Sequence, residues 1–328
     1  MRQVDRGQRS SSDDTSETVQ NISSGPWAVS TSTFRWFALA DLVATIAITL
    51  SGAAVRLTGS GLGCSDWPAC TGTRLTGPDG YHSIIEFGNR LVTVAIVLIV
   101  GISFVAATLR RPRRTDLIVL NGVLIAGIVA DALLGALVVY SKLNAWLVSL
   151  HLVISLSLVA SAATLYHRSK FCYDSRDTVG SDVQIRRLSR FIWIPLGAVI
   201  FAGTVTTGSG PHAGESTHQL VAKRLPIAFS TATWIHAISA LVFIGVVLGL
   251  LIFSWRRAAP PPTRRNIQHL AILSVAQGAV GFIQYVTHVP AVLVEIHILL
   301  VVSLVIGVTQ LNVGLVARER ETEMTHAS

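Results

Sequence analysis

The sequence predicts an all-α membrane protein in which eight transmembrane helices form two pseudo-symmetric four-helix bundles, with both termini cytoplasmic. Three observations support this prediction. Hydrophobic residues make up 51% of the 328 residues and charged residues only 13%, a balance too apolar for an ordinary soluble domain. The apolar residues form runs long enough to cross the roughly 30 Å of a bilayer's hydrocarbon core. The string TGSG at residues 58–61 recurs 149 residues later, which indicates a duplicated unit.

The apolar runs define the spans and, with them, the domains. The eight predicted spans are residues 34–55, 84–108, 116–140, 146–167, 191–207, 230–254, 267–287 and 291–316. The predicted domains are a disordered cytoplasmic tail (1–33), an N-terminal four-helix half (34–167), a cytoplasmic linker (168–190), a C-terminal four-helix half (191–316) and a second cytoplasmic tail (317–328). The first tail is rich in Ser and Thr and lacks an apolar core, so we expect neither a signal peptide nor a transit peptide there.

The net charge of +8 reports on topology. Lys and Arg lie in short segments between the apolar runs, and they do not form the stripe or groove that nucleic-acid binding requires. The Arg-rich segments at 110–114, 168–190 and 256–265 indicate the cytoplasmic loops by the positive-inside rule. Both termini are then inside. The loops expected to face outward are 56–83, 141–145, 208–229 and 288–290.

A second pair of matched positions supports the duplication. Asp131, four residues before Gly135, corresponds to Gln277, four residues before Gly281, and the offset is 146 residues. Because each half has four helices and begins inside, the halves are expected to be parallel repeats about an axis along the membrane normal.

Three histidines lie well inside the apolar runs, and polar residues there are costly enough to indicate function. His151 and His297 are 146 residues apart, and His236 corresponds to Asn89, 147 residues earlier. All four lie on even-numbered helices at one depth, about 10 Å below the outer surface at about 1.5 Å per helical residue.

Two imidazoles on neighbouring helices can bind haem iron from both axial sides. His236 and His297 are therefore predicted to be the ligands of a haem b. His151 faces Asn89, whose amide is a poor ligand, so that haem site is predicted to be weakly held or five-coordinate. The alternatives are histidines that hydrogen-bond between helices, or a zinc site, for which a completing Cys or carboxylate cluster is missing.

Glu86 and Arg90 lie on one face of the second helix, close to Asn89. One interpretation is that Glu86 and Arg90 form a simple interfacial ion pair. The other is that they serve chemistry, in which case the Glu86 carboxylate accepts a proton near a haem edge and Arg90 binds a haem propionate.

Cys64 and Cys70 lie in an outward loop, where the oxidising environment permits a disulfide, whereas Cys172 is expected to be a lone thiol on the cytosolic side. The five residues between Cys64 and Cys70 do not match the CxxC spacing of a redox or haem-attachment motif. The loop is therefore either a structural staple or a site of redox chemistry or haem transfer.

These residues resemble heme A synthase. The segments TGSGLGCSDWPAC (58–70), IIEFGNR (84–90) and ALLGALVV (132–139), followed by His151, resemble the first half of that family. His236 and His297 match its second-half haem ligands, and the similarity extends over roughly residues 34–316.

The resemblance implies an enzyme that oxidises the C8 methyl group of haem O to the formyl group of haem A, by successive hydroxylations with loss of water. It implies a haem b in the second half and the substrate haem O in the first. Glu86 would be the catalytic acidic residue, His151 one ligand of the substrate haem, and Cys64 and Cys70 the paired loop cysteines. At Asn89 the chain departs from the family pattern, which has histidine there.

The same resemblance implies a multi-pass protein of the bacterial cytoplasmic membrane that supplies haem A for terminal oxidase assembly. The expected partners are haem O, the protohaem farnesyltransferase that makes it, an electron-transfer partner and a second copy of the chain. Two alternatives remain open: a haem b cytochrome that only carries electrons, and a haem transporter.

Overall fold

A computed structural model of the chain describes residues 27–72, 80–170, 183–212 and 223–326, with side chains described up to residue 315. Helices account for nearly all of these residues. In chain order they are α1 (Thr31–Leu57), α2 (Tyr81–Leu109), α3 (Thr115–Tyr140), α4 (Ala145–Lys170), α5 (Val183–Phe191), α6 (Trp193–Ser209), α7 (Phe229–Arg256), α8 (Pro261–Val286) and α9 (Ala291–His326).

The helices provide eight segments long and apolar enough to cross a membrane, and α5 and α6 together form the fifth. Large apolar side chains such as Leu98, Ile102 and Val105 are more than half exposed, which suits contact with lipid tails and not with water. Helices satisfy their own backbone hydrogen bonds, as a chain in hydrocarbon must. The chain is a multi-pass membrane protein, and the predicted eight spans are confirmed.

Parts of the segment predicted as the linker 168–190 are helical. Helix α4 continues to Lys170, and α5 begins at Val183. Helix α5 buries Ile185 and Ser189 while Arg187 and Arg190 remain exposed. Helix α5 is amphipathic, and the arginines on its exposed face made this segment resemble a loop in the sequence. Cys172 and residues 1–26 lie outside the described residues, and the backbone of α9 remains helical through most of the predicted tail 317–328.

The first four helices pack as a closed ring. Helix α1 packs along both α2 and α4, and α3 packs along α2 and α4. The buried faces use small and β-branched residues, including Ala38, Ala162, Ala163 and Val159, which allow helices to approach closely without a hydrophobic driving force from water.

The last four helices follow the same order but leave the ring open. Helix α7 packs against α6 and α8, and α8 packs against α9. In the described part of the chain, the close approach of α1 and α4 has no counterpart between α6 and α9. Helix α9 also packs against α4, across the boundary between the halves, and α4 contacts α6 as well.

A partly buried arginine joins the two halves at one end of the molecule, which we call the disulfide end because it carries Cys64 and Cys70. The Arg56 side chain donates through Nε to the carbonyl oxygen of His212 at 2.9 Å and through Nη2 to that of Thr207 at 3.2 Å. Arg56 belongs to the end of α1 and Thr207 to the end of α6, so the two TGSG segments lie at the same end.

Candidate functional site

The loop at the disulfide end contains the predicted disulfide. Cys64 and Cys70 are bonded and fully buried. The loop lies directly on the start of α2: a Cβ on Gly63 would be 2.5 Å from the backbone of His82. The Ser83 hydroxyl donates to the Gly63 carbonyl oxygen at 2.7 Å. Glycine at residue 63 is therefore required by this close contact.

Glu86 joins this loop to α2. Its side chain is buried, and Oε2 accepts a hydrogen bond from the backbone N–H of Cys64 at 2.7 Å. Its other oxygen, Oε1, forms an ion pair with Nη2 of Arg90. The carboxylate thus contacts the disulfide through the backbone of one of its cysteines.

Arg90 also turns toward the loop. Its Nη1 atom donates to the carbonyl oxygens of Asp66 at 2.6 Å and Ala69 at 2.9 Å. The predicted ion pair between Glu86 and Arg90 exists, and it anchors the disulfide loop. The propionate contact predicted for Arg90 stays a prediction.

In the first half, His151 has an acidic neighbour. Its Nδ1 atom lies 2.8 Å from Oδ1 of Asp131 on α3. The other carboxylate oxygen of Asp131 accepts a hydrogen bond from Ser155, one turn further along α4, at 2.7 Å. The imidazole lies against Gly135, where a Cβ would be 3.5 Å from its Cε1 atom.

Asn89 points to a different neighbour. Its Oδ1 accepts a hydrogen bond from the Ser51 hydroxyl of α1 at 2.7 Å. In the described residues, Asn89 and His151 share neither a hydrogen bond nor a ring contact, so the structure does not pair them directly. The amide oxygen, which is the acceptor atom of the Asn89 side chain, is therefore already hydrogen-bonded to Ser51.

In the second half, the two predicted ligands come together. The ring centroids of His236 and His297 are 6.1 Å apart, with the ring planes at 69°. The Nδ1–H of His236 donates to the backbone carbonyl of Val199 on α6 at 3.0 Å. That bond specifies the tautomer and leaves Nε2 with a free lone pair, as is common for metal-binding histidines.

Each imidazole of this pair lies against a glycine. A Cβ on Gly203 would be 3.0 Å from Cε1 of His236, and a Cβ on Gly281 would be 3.2 Å from Cε1 of His297. Both contacts are tighter than the one at Gly135. The repeat had revealed Gly281, but Gly203 was missed because it is not part of either repeated string.

A cavity of about 680 Å³ opens at the disulfide end of the second half. Its lining includes Arg224, Phe229, Tyr285 and His288. Phe229 lies seven residues before His236, two turns along the same face of α7, and Tyr285 lies one turn from Gly281 on α8. The cavity therefore lies nearer than the two imidazoles to the helix ends at the disulfide end.

The sequence also missed Ser51 and Ser155, the hydroxyl partners of Asn89 and Asp131. Serines in membrane helices commonly bond to their own backbone, so their residue type alone does not identify them. The sequence signal available for Ser155 was its position four residues after His151, which puts both side chains on one face of the helix. Within the described ranges, no group of three or more His, Cys, Asp or Glu side chains could hold a metal ion, so no completing set for zinc is found there.

Comparison with known proteins identifies the family. The chain matches the cytochrome oxidase assembly protein family (COX15-CtaA) over residues 35–80 and 79–309. It is 23% identical over 305 residues to the heme A synthase of Lysinibacillus sphaericus (strain C3-41), covering 88% of this chain and 97% of that protein. The chain belongs to the heme A synthase family.

Other relatives in the heme A synthase family agree. The chain is 24% identical over 298 residues to the heme A synthase of Staphylococcus aureus (strain bovine RF122 / ET3-1), which covers 87% of this chain and 95% of that protein. It is 31% identical over 106 residues to the heme A synthase of Geobacillus thermodenitrificans, 32% of each chain. The predicted resemblance to the heme A synthase family is confirmed over nearly the whole length of the chain.

Proposed function

We propose that this protein oxidises the C8 methyl group of haem O to a formyl group and so supplies haem A for terminal oxidase assembly. The observation that carries the proposal is the unequal pair of histidine sites: two facing imidazoles in one half, and one imidazole with a carboxylate neighbour in the other. Membership of the heme A synthase family supports the substrate.

The second half has the donor set and the space for a haem b. A metal–imidazole bond is about 2.0–2.1 Å, so two imidazoles on opposite sides of one metal have centroids about 6 Å apart. The observed 6.1 Å between His236 and His297 agrees with that value. Glycines at 203 and 281 remove side-chain volume beside both rings.

His236 and His297 are thus the proposed ligands of haem b, which supplies one-electron transfer when bound. Converting a methyl group to a formyl group removes four electrons from the substrate, so a synthase needs an electron route beside its substrate site. Arg224, at the cavity toward the disulfide end, is a cation suited to a haem propionate.

His151 is the proposed ligand of the substrate haem O in the first half. No second imidazole corresponds to His236 there, because Asn89 occupies the matched position. We propose that the position opposite His151 stays open, as catalytic metal sites require. The hydrogen bond from Ser51 holds the Asn89 oxygen and thus reduces its capacity to act as a ligand.

Glu86 is the proposed catalytic residue. A buried carboxylate at the disulfide end can accept a proton released during oxidation of the methyl group. Arg90 orients Glu86 and anchors the loop with the disulfide. The disulfide stabilises the loop on which this orientation depends.

The proposed membrane orientation places both termini and the Arg-rich loops in the cytoplasm and the disulfide end outside. The two halves are proposed to be repeats of one four-helix unit. The protohaem farnesyltransferase that makes haem O, an electron acceptor and a second copy of the chain are the proposed partners.

Haem extraction after co-expression with a source of haem O tests the function. We expect haem A from the wild-type protein, and haem b without haem A from Glu86→Gln. Because Glu86 also anchors the loop, Arg90→Ala is the matched control: it removes the anchor but keeps the carboxylate.

If Glu86 acts chemically, Arg90→Ala retains more haem A formation than Glu86→Gln. Equal losses would assign Glu86 a purely structural role. A wild-type protein that keeps haem b but forms no haem A is an electron carrier, and one that releases haem O unchanged across the membrane is a transporter.

A further inference from the structure

The imidazole of His151 has a carboxylate neighbour, whereas no ion pair joins His236 or His297 to a carboxylate among the described residues. Asp131 lies 2.8 Å from Nδ1 of His151, and it is buried with a relative exposure of 7%. The side of the ring that carries Nε2 remains free, since Nε2 has no hydrogen-bond partner among the described residues. A buried carboxylate oxygen therefore lies beside one ring nitrogen, and the other nitrogen is available.

The matched residue in the second half has a different role. Gln277 is an amide, and its Nε2 donates to the backbone carbonyl of His297 at 3.2 Å, not to the ring. In the described part of the chain, Nδ1 of His297 and Nδ1 of His151 both lack a hydrogen bond of ordinary geometry, and His151 differs in having a carboxylate oxygen 2.8 Å from that nitrogen. One position in the repeat thus carries a charged partner for an imidazole in one half and a neutral residue that contacts only the backbone in the other.

We propose that Asp131 is the positioning residue of the first-half haem ligand. Its carboxylate oxygen, 2.8 Å from Nδ1, accepts the Nδ1–H once the ring turns to bind iron, so that Nε2 would be directed at the iron of haem O and the imidazole would donate more electron density to it. This proposal rests on the proposed function, in which His151 binds the substrate haem.

The chemistry follows from general properties of metal-bound histidine. A carboxylate that accepts the second ring N–H fixes the tautomer and raises the basicity of the ligand. A more basic ligand stabilises the more oxidised iron, so the reduction potential of this haem falls relative to one with a neutral partner. A site that oxidises its substrate at an open iron position benefits from that stabilisation.

Ser155 supports Asp131 in this role. Its hydroxyl donates to Oδ2 at 2.7 Å, which leaves Oδ1 facing the imidazole. Ser155 lies one turn from His151 on the same helix, so α4 carries both the ligand and the group that orients its partner. Rotation of the carboxylate away from the ring would break its hydrogen bond with Ser155.

A packing role for Asp131 makes a different prediction. If Asp131 only joins α3 to α4 through Ser155, then Asp131→Asn, which keeps the size and an oxygen acceptor, leaves the iron signals unchanged. If Asp131 acts on His151, the same substitution weakens the bond between the iron and the imidazole. A spectroscopic measurement of that bond separates the two.

The test is resonance Raman spectroscopy of the reduced full-length protein purified with haem O. Only a five-coordinate ferrous haem with one histidine gives an iron–histidine stretching band, so the two-imidazole site of the second half does not contribute. We expect this band in the wild type, a shift to lower frequency in Asp131→Asn, and a smaller shift in Ser155→Ala. We also expect Asp131→Asn to bind haem O about 10- to 100-fold more weakly.

Gln277→Ala is the matched control in the second half, and it should leave the band unchanged. A band at the wild-type frequency in Asp131→Asn overturns the role of Asp131, while haem A formation by the wild type still supports the proposed function. Absence of the band from wild-type protein that contains haem O also overturns the inference, because His151 is then not the sole ligand. If Asp131→Asn fails to fold, Ser155→Ala alone decides between a shifted and an unshifted band.

Discussion

The two halves of this membrane protein use the same helix order, and they differ at two of three matched positions near their histidines. The first half has His151, Asp131 and Asn89, whereas the matched residues of the second half are His297, Gln277 and His236. The second half brings His236 and His297 together, whereas Asn89, at the position matched to His236, is hydrogen-bonded to Ser51. Under the proposed function, a repeated four-helix unit would provide one site for electron transfer and one for chemistry by changing only the ligands and their partners.

The halves also differ in what covers them. The first is a closed ring with the disulfide loop, Glu86 and Arg90 at its end. In the second, α6 and α9 do not pack closely on each other, α4 contacts both, and a cavity lies at the same end of the molecule. The contacts of the disulfide loop with Glu86 and Arg90 lie in the half proposed to hold the substrate.

The largest expected effect distinguishes the two sites by loss of a ligand. His236→Ala and His297→Ala should each abolish the low-spin spectrum of haem b, because each removes half of a two-ligand site. Asn89→Ala should leave that spectrum intact. Optical spectra of the purified variants measure this, and retention of low-spin haem b in His236→Ala would contradict the pairing.

A graded effect is expected at the glycines beside the imidazoles. Gly203→Ala would bring a Cβ within 3.0 Å of His236, whereas Gly135→Ala would bring one only to an ordinary 3.5 Å from His151. Overpacking of this kind costs about 1–3 kcal/mol. We expect Gly203→Ala to weaken haem b retention and Gly135→Ala to have little effect on haem O binding, both measured by haem titration. Equal losses would show that the two rings are not held differently.

A smaller effect is expected at the disulfide. Cys64→Ser with Cys70→Ser opens a loop of sequence separation 6, for which loop-closure entropy contributes about 2 kcal/mol. The loop contacts Glu86, which lies in the first half. We therefore expect haem A formation to fall while haem b is retained in the second half. Haem extraction with and without reductant checks this, and a loss of haem b instead would place the effect of the loop in the wrong half.

The fold was largely accessible from the sequence, because long apolar runs and the positions of Arg residues report spans directly. Residue spacing also predicted one depth for His151, His236 and His297, since a helix advances a fixed distance per residue. The 6.1 Å between the rings of His236 and His297 agrees with this prediction for that pair. Helix α5 was missed because its charged face conceals the apolar side that packs on the bundle. Spacing along the chain does not specify the rotation of each helix about its axis.

That limit explains what the sequence could not give at the site. The contact between Asp131 and His151 depends on how α3 and α4 are rotated relative to each other, and nothing in the spacing specifies it. The hydrogen bonds from Arg90 to the loop depend on a chain reversal that brings Gly63 against His82. Contacts formed by loops that fold back need the three-dimensional structure.

The central claim is that the second half opposes two imidazoles while the first leaves one iron position open. Electron paramagnetic resonance of the oxidised wild-type protein, loaded with haem O and haem b, tests it most directly. We predict one low-spin signal and one high-spin signal, and conversion of the high-spin signal to low spin in Asn89→His. Two low-spin signals in the wild type, unchanged in Asn89→His, would contradict the account.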